Sequence, residues 1–435
     1  MRYFESEDRF LKRDGSGPNV GFDASVFGDL EEVAEWSAVK KSDKDVFWGI
    51  KTGGSIEYIP SIVEGIIYFG ACDHNFYAID AETGQEVWRF RANDVITADK
   101  AAIEDGTIYF GSFDGVMYAV DLKTGEEVWR FKTDSVLWNQ VAHDGVLYFG
   151  AKNGVLYALD AKTGKELWRF QANGPIMTPK IYDDIMYFGS WDHNLYALGL
   201  DGRLLWKFPA SDQINWGIAA DGDGLYFGSR DRNLYAVSHE GRLLWKFKTN
   251  GAVISTPFLH EGVLYFGSYD QNFYAVSTKG RLLWKFGTDN ILYALPIVYK
   301  NKVYFGGCDK NFYALTLDGR LVWRFRTNEF ESSSPLAYKG RIYFGAWDCK
   351  FRCVSADTGK LIWEFRTSLA FPSELDIESQ LGEVSFEVIS FGDQEDKGSE
   401  KYKKRRGDED IKDYETDGVK YQFDVGYKSS GKYGV

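Results

Sequence analysis

Apolar and polar residues alternate with period two through most of this chain. Val263–Gly267 reads VLYFG, rich in β-forming side chains. Ser268 to Asn272 follows as a turn, residues 273–276 (FYAV) as a second strand, and Lys279-Gly280 as another turn. Residues 282–286 (LLWKF) form a third strand, and residues 252–259 (AVISTPFL) precede the group as a fourth. The same pattern returns along the chain. Tyr-Phe-Gly triplets begin at Tyr68, Tyr109, Tyr148, Tyr187, Tyr226, Tyr265, Tyr304 and Tyr343, each followed about twenty residues later by a tryptophan. These are Trp88, Trp129, Trp168, Trp206, Trp245, Trp284, Trp323 and Trp363, spaced by 38 to 41 residues. Eight triplets with eight tryptophans make eight full repeats.

Four short antiparallel strands in about 40 residues are the pattern of one propeller blade. The expected fold is all-β: an eight-bladed β-propeller of four-stranded antiparallel blades over residues 46–369. Stacked helical repeats have similar periods, but they would show a 3.6-residue period rather than alternation. An N-terminal extension, residues 1–45, precedes the ring. A short β-rich C-terminal extension, residues 370–435, follows it. There residues 384–391 (VSFEVISF) and 419–427 (VKYQFDVGY) read as strands. Residues 392–418 between them are so highly charged that they read as a solvated loop. Trp48 lies in residues 46–51 (VFWGIK), which resemble a blade's fourth strand. That segment is expected to seal the ring beside blade eight, where Trp363 competes for the same outer position.

The turn before each tryptophan carries a resemblance. Ala78, Asp80, Thr83, Gly84 and Trp88 match the tryptophan-docking motif of PQQ-type (pyrroloquinoline-quinone) β-propeller repeats. The motif returns with Ala119, Asp121, Thr124, Gly125 and Trp129, and with Ala158, Asp160, Thr163, Gly164 and Trp168. Repeats four to seven shorten the turn by one residue, as in Ala236, Gly241 and Trp245, and repeat eight has Cys353 and Ser355 for Ala and Asp. The resemblance implies that the eight periodic tryptophans are structural, packing between blades. It also implies one of two functions. Quinoprotein dehydrogenases of the family hold PQQ and calcium in the central funnel. Its non-catalytic scaffolds are similar to the bacterial outer-membrane assembly lipoprotein and bind proteins. Many of the dehydrogenases carry a vicinal cysteine pair and long loop insertions. Here Cys72, Cys308, Cys349 and Cys353 are never adjacent, and the repeats vary by only three residues. The resemblance therefore favours the scaffold branch, without a cofactor.

Aromatic residues make up 17% of the chain, in keeping with many short strands, and a repeat fold carries its function in the departures from the repeat. Trp36, Trp138, Trp191, Trp216 and Trp347 lie outside the periodic set. Trp191 and Trp347 occupy the turn after the triplet, and Trp138 and Trp216 the segment entering a blade. In a four-stranded blade both connections open on one face. The turn position itself varies: Cys72, Phe113, Lys152, Trp191, Arg230, Tyr269, Cys308 and Trp347. The entry segments add Tyr58 and Tyr293. With Lys152, Arg230, Arg232 and Lys310 interleaved, these exposed aromatics resemble a binding rim. The expected binding residues are Trp138, Trp191, Trp216, Arg230, Tyr269, Tyr293 and Trp347. The alternative is that they pack loop on loop or cover a narrow channel.

No catalytic set stands out. The five histidines are dispersed, and HExxH, GxSxG and phosphate-loop motifs are absent. Aspartates recurring after the variable turn position, such as Asp73, Asp192 and Asp270, suggest turn capping. The cysteines do not have zinc-ligand spacing. A net charge of −13 argues against a general nucleic-acid binder, and no apolar run approaches a membrane span. The N-terminal MRYFESEDRFLKRD has neither an apolar signal core nor a lipid-attachment cysteine, so a cytoplasmic location is expected. The sequence thus points to a monomeric, non-enzymatic scaffold recognising a protein or ligand on its loop face. A PQQ-dependent dehydrogenase and a small-ligand sensor are the alternatives.

Overall fold

The computed structural model describes residues 56, 59–96, 100–293, 295–330 and 333–367, and the backbone of residues 411–416 and 419–424. Trp48 and its segment, Trp36, Tyr58 and residues 384–391 lie outside the described residues. Two compact units are present, Met1–Ala370 and Phe371–Val435.

The first unit holds eight sheets of four antiparallel strands, each sheet taking its strands in chain order. Blade five is typical: Ala219–Asp221, Gly224–Gly228, Asn233–Val237 and Leu243–Lys248. The Tyr-Phe-Gly triplets lie on second strands and the periodic tryptophans on fourth strands. The first strands are shorter than expected. Blade six begins pairing only at Phe258–His260, because the residues before it bond elsewhere. Ala252 O accepts from Tyr269 N, and Ser255 Oγ bonds both the N–H and the carbonyl of Gly267. A β-bulge interrupts the pairing of every fourth strand just before its tryptophan.

Successive blades interlock in one direction. Each fourth-strand indole donates its Nε1–H to a carbonyl in the next blade: Trp88 to Leu122 (3.2 Å), Trp245 to Thr278 (3.0 Å), Trp284 to Leu317 (2.7 Å). The next blade's turn glycine lies flat on the indole. A Cβ at Gly280 would sit 2.9 Å from Trp245 Cδ2, and φ there is +78°. No other residue fits both the space and the backbone. The triplet tyrosine often shares the same acceptor, as Tyr68 does with Trp88 at Leu122 O. Buried phenylalanines stack across the junctions, Phe76 on Phe110 at 4.1 Å and Phe273 on Phe305 at 3.9 Å.

The same contacts close the ring from blade eight to blade one. Trp363 Nε1 and Tyr343 Oη both donate to Ala81 O (3.3 and 3.0 Å), and Phe351 stacks on Phe69 at 4.4 Å. Arg341 adds bonds to the carbonyls of Ala81 and Glu82. The outer position of blade eight belongs to Leu361–Arg366, which carries Trp363.

In the second unit Ile411–Thr416 pairs with Val419–Asp424 as an antiparallel hairpin. This corrects the expected loop over residues 392–418, whose last part is a strand. Asp417-Gly418 is a two-residue sequence of the kind that closes hairpins, and register outweighs the high charge.

Candidate loop-face binding site

The turn between second and third strands and the segment entering the blade open on the same face, as expected. They are also tied together. In blades two to eight the variable turn residue donates its N–H to a carbonyl of that blade's entry segment. Phe113 bonds Val95, Lys152 bonds Val136, Trp191 bonds Pro175 and Arg230 bonds Gln213. Tyr269, Cys308 and Trp347 bond Ala252, Ile291 and Phe330 in the same way. The frame repeats while the side chains on it change.

The carboxylate caps the turn. Asp192 Oδ1 accepts from Asn194 N (3.1 Å) and Oδ2 from the Tyr196 hydroxyl (2.6 Å). Asp73 with Tyr77, Asp270 with Tyr274 and Asp309 with Tyr313 repeat this. Burial pushes the Asp192 pKa up, but these hydrogen bonds outweigh it and hold the carboxyl below its ordinary value. These aspartates are structural. Blade three substitutes Asn153. Blade eight substitutes Arg352 for the tyrosine, and its guanidinium forks onto Asp348 with both side chains buried.

The rim residues are not all exposed. Trp191 and Trp347 are only 9% and 7% exposed, so the expectation of exposed aromatics is corrected for both. Their turns fold over the entry segments, and the indoles fill the space between. Trp191 packs with Met177, Phe113 and Trp138, its ring 5.6 Å from that of Trp138. Trp347 packs with Phe330, Cys308, Ile291 and Tyr293. The aromatics thus form two clusters, one at blades two to four and one at blades seven and eight. Trp216, Arg230 and Tyr269 lie between them on blades five and six, half-buried and in neither cluster. Phe330, Ile291 and Met177 were missed from the sequence. For Phe330 and Ile291 a signal existed: the entry residue that accepts the turn's hydrogen bond varies along the chain, as the turn residue does.

Side chains in the entry segments also connect neighbouring blades. Asn139 bonds Thr178, Gly217 N donates to Thr256 Oγ1 (2.7 Å), and Leu295 N donates to Ser334 Oγ (3.1 Å). Among the described residues no three histidine, cysteine or carboxylate side chains converge on a point that could hold a metal ion. All four cysteines are free thiols and buried, and burial pushes the Cys353 pKa up to about 11, away from thiolate chemistry.

The family described as outer membrane protein assembly factor BamB matches residues 9–135, 113–213, 191–317 and 279–383, four overlapping stretches of PQQ-type repeats. The chain belongs to this family. A search of curated proteins finds no match. Among solved structures, the computationally designed protein Ika8 is 18% identical, with a TM-score of 0.63 over 70% of this chain and 96% of its own. BamB from Moraxella catarrhalis is also 18% identical, with a TM-score of 0.58 over 69% of this chain and 91% of its own. A europium-containing methanol dehydrogenase is 13% identical, with a TM-score of 0.58 over 68% and 84%. At these identities the likeness is one of fold.

Proposed function

We propose that this ring is a non-enzymatic scaffold that binds another protein through its loop face. One observation carries the reading: a hydrogen-bonded frame repeated in blades two to eight presents varied side chains, from Phe113 and Lys152 to Arg230 and Tyr269. Such a division between fixed backbone and varied side chains suits recognition. The contact region is centred on Trp216, Arg230 and Tyr269, flanked by the two packed aromatic clusters, which hold their loops in place. Tryptophan, tyrosine and arginine are the residues that dominate interface energetics. BamB's description as an assembly factor accords with a protein partner.

The test is affinity capture from the native cell with the full chain, followed by titration of the captured protein against the wild type and Arg230→Ala. Arg230→Ala is expected to keep the wild-type melting temperature and weaken binding at least tenfold, about 1.4 kcal/mol. Unchanged binding would remove Arg230 from the interface. Addition of PQQ with calcium tests the enzymatic alternative: tight uptake and dye-linked alcohol oxidation would overturn the scaffold reading.

A further inference from the structure

A second surface lies on the outer rim, independent of the loop face. Each sheet ends at its fourth strand, and no strand among the described residues of the ring pairs on the outer side. An open edge exposes a row of N–H and C=O groups. Blades one to three blunt this edge with internal ion pairs. Glu86, Glu127 and Glu166 each hold the arginine three residues on, at 2.7, 2.5 and 2.6 Å.

Blades four to eight all have leucine at that position; in blades five to seven it is Leu243, Leu282 and Leu321. The exchange has two consequences. Aliphatic side chains now stand in pairs, because the bulge residue beside each is Leu244, Leu283 or Val322. All six are 40–48% exposed. The cation three residues on, Lys246, Lys285 or Arg324, has lost its carboxylate and makes no ion pair among the described residues. Residues 242–248, 281–287 and 320–326 contain eight basic residues and no acidic one, in a chain of net charge −13. The run is bounded on both sides. Blade four's strand ends in Pro209, which has no N–H to offer, and blade eight carries Glu364 bonded to Lys350.

We propose that the outer edges of blades five to seven accept an added β-strand from an extended polypeptide segment that alternates acidic and aliphatic residues. Beyond the bulge each strand pairs regularly, as Trp245–Lys248 does with Asn233 to Ala236, so a backbone template several residues long is available. Main-chain bonds to that edge would supply affinity, and side-chain complementarity the selectivity. Opposite charges facing across strands stabilise the pair, and like charges oppose it. The basic edges therefore repel the same edge of another copy and select an acidic strand.

The experiment titrates the full chain with a labelled synthetic peptide alternating valine and glutamate. Controls are a valine–lysine peptide, a valine–glutamate peptide interrupted by prolines, and phosphatidylserine vesicles. The variant is L243E/L282E/L321E, which installs what blades one to three already carry and so preserves folding. The wild type is expected to bind the valine–glutamate peptide at least tenfold more tightly than either control peptide. The variant, with its melting temperature retained, should lose at least tenfold in affinity. Bound peptide should also slow amide exchange within residues 245–248. Equal binding of the lysine or proline peptide, undiminished binding by the folded variant, or a preference for the vesicles would overturn the proposal. None of these outcomes bears on the loop face, whose test uses Arg230.

Discussion

Trp138 and Trp191 approach with ring centroids 5.6 Å apart and planes inclined by 41°, bridging the third and fourth blades. Trp191 is buried in that contact. Truncating it removes packing from under two loops. Trp191→Ala is expected to cost about 3–5 kcal/mol, the range for large aromatic truncations, and to lower the melting temperature measurably. Trp216→Ala, on a half-buried residue, should cost distinctly less. Thermal melts of the two variants make the comparison, and equal midpoints for Trp191→Ala and wild type would show that this cluster contributes nothing to stability.

Arg352 provides a sharper test, because the other seven blades have tyrosine there (Tyr77, Tyr118, Tyr157, Tyr196, Tyr235, Tyr274 and Tyr313). Arg352→Ala leaves Asp348 buried without its cation, a change that costs about 3–5 kcal/mol. Arg352→Tyr restores the hydroxyl-to-carboxylate bond found in six of the other blades. It should recover most of that loss in urea denaturation.

Stability should depend on pH at both extremes. The Asp192 carboxyl is held below its ordinary pKa, as is Asp80, mainly through the Thr83 N–H. Their contribution is complete above the unfolded value near 4 and is lost as pH falls through the lowered native values. Asp192→Asn should flatten the acid limb of a plot of urea midpoint against pH. On the alkaline side, burial raises Tyr68, Tyr118 and Tyr187 to about 12. Their contribution is complete below the unfolded value near 10 and is lost as pH rises toward 12. Tyrosinate absorbance should therefore appear late and together with loss of β-structure by circular dichroism.

Trp245 can be dissected in two steps. Trp245→Phe keeps an aromatic surface under Gly280 and deletes the bond to Thr278 O, a loss of about 1 kcal/mol. Trp245→Ala removes both and should cost about 3 kcal/mol. Calorimetric melts separate the contributions, and identical losses for the two variants would place the whole effect in the hydrogen bond.

The blade count, the strand order and the capping aspartates were legible because each is written eight times or nearly so. Asp80 and Thr83 specify their turn with side chains that bond the backbone beside them, so the motif needs no distant partner. The burial of Trp191 and Trp347 was not legible. Their place in turns suggested solvent, whereas the enclosing contacts come from residues such as Met177 and Phe330, about fourteen to seventeen positions earlier in the chain. The shortened first strands escaped for a similar reason: residues 252–257 alternate like a strand, but their hydrogen bonds go to the turn at Tyr269, to Gly267 and to the neighbouring blade at Ser229 and Gly217. At Ile411–Thr416 composition misled, since a charged strand still pairs with its neighbour Val419–Asp424.

Because every blade is built from consecutive strands, and every junction joins a donor side to an acceptor side, any run of blades has two unlike ends that fit each other. Such head-to-tail interfaces close when their rotations sum to a full circle, and here eight do. A chain cut between blades four and five would leave Trp206 as the bare donor of one half and Trp363 as that of the other. Each faces the acceptor that the other half exposes, His239 O and Ala81 O. The two halves, made separately and mixed, should therefore reassemble as one ring rather than polymerise.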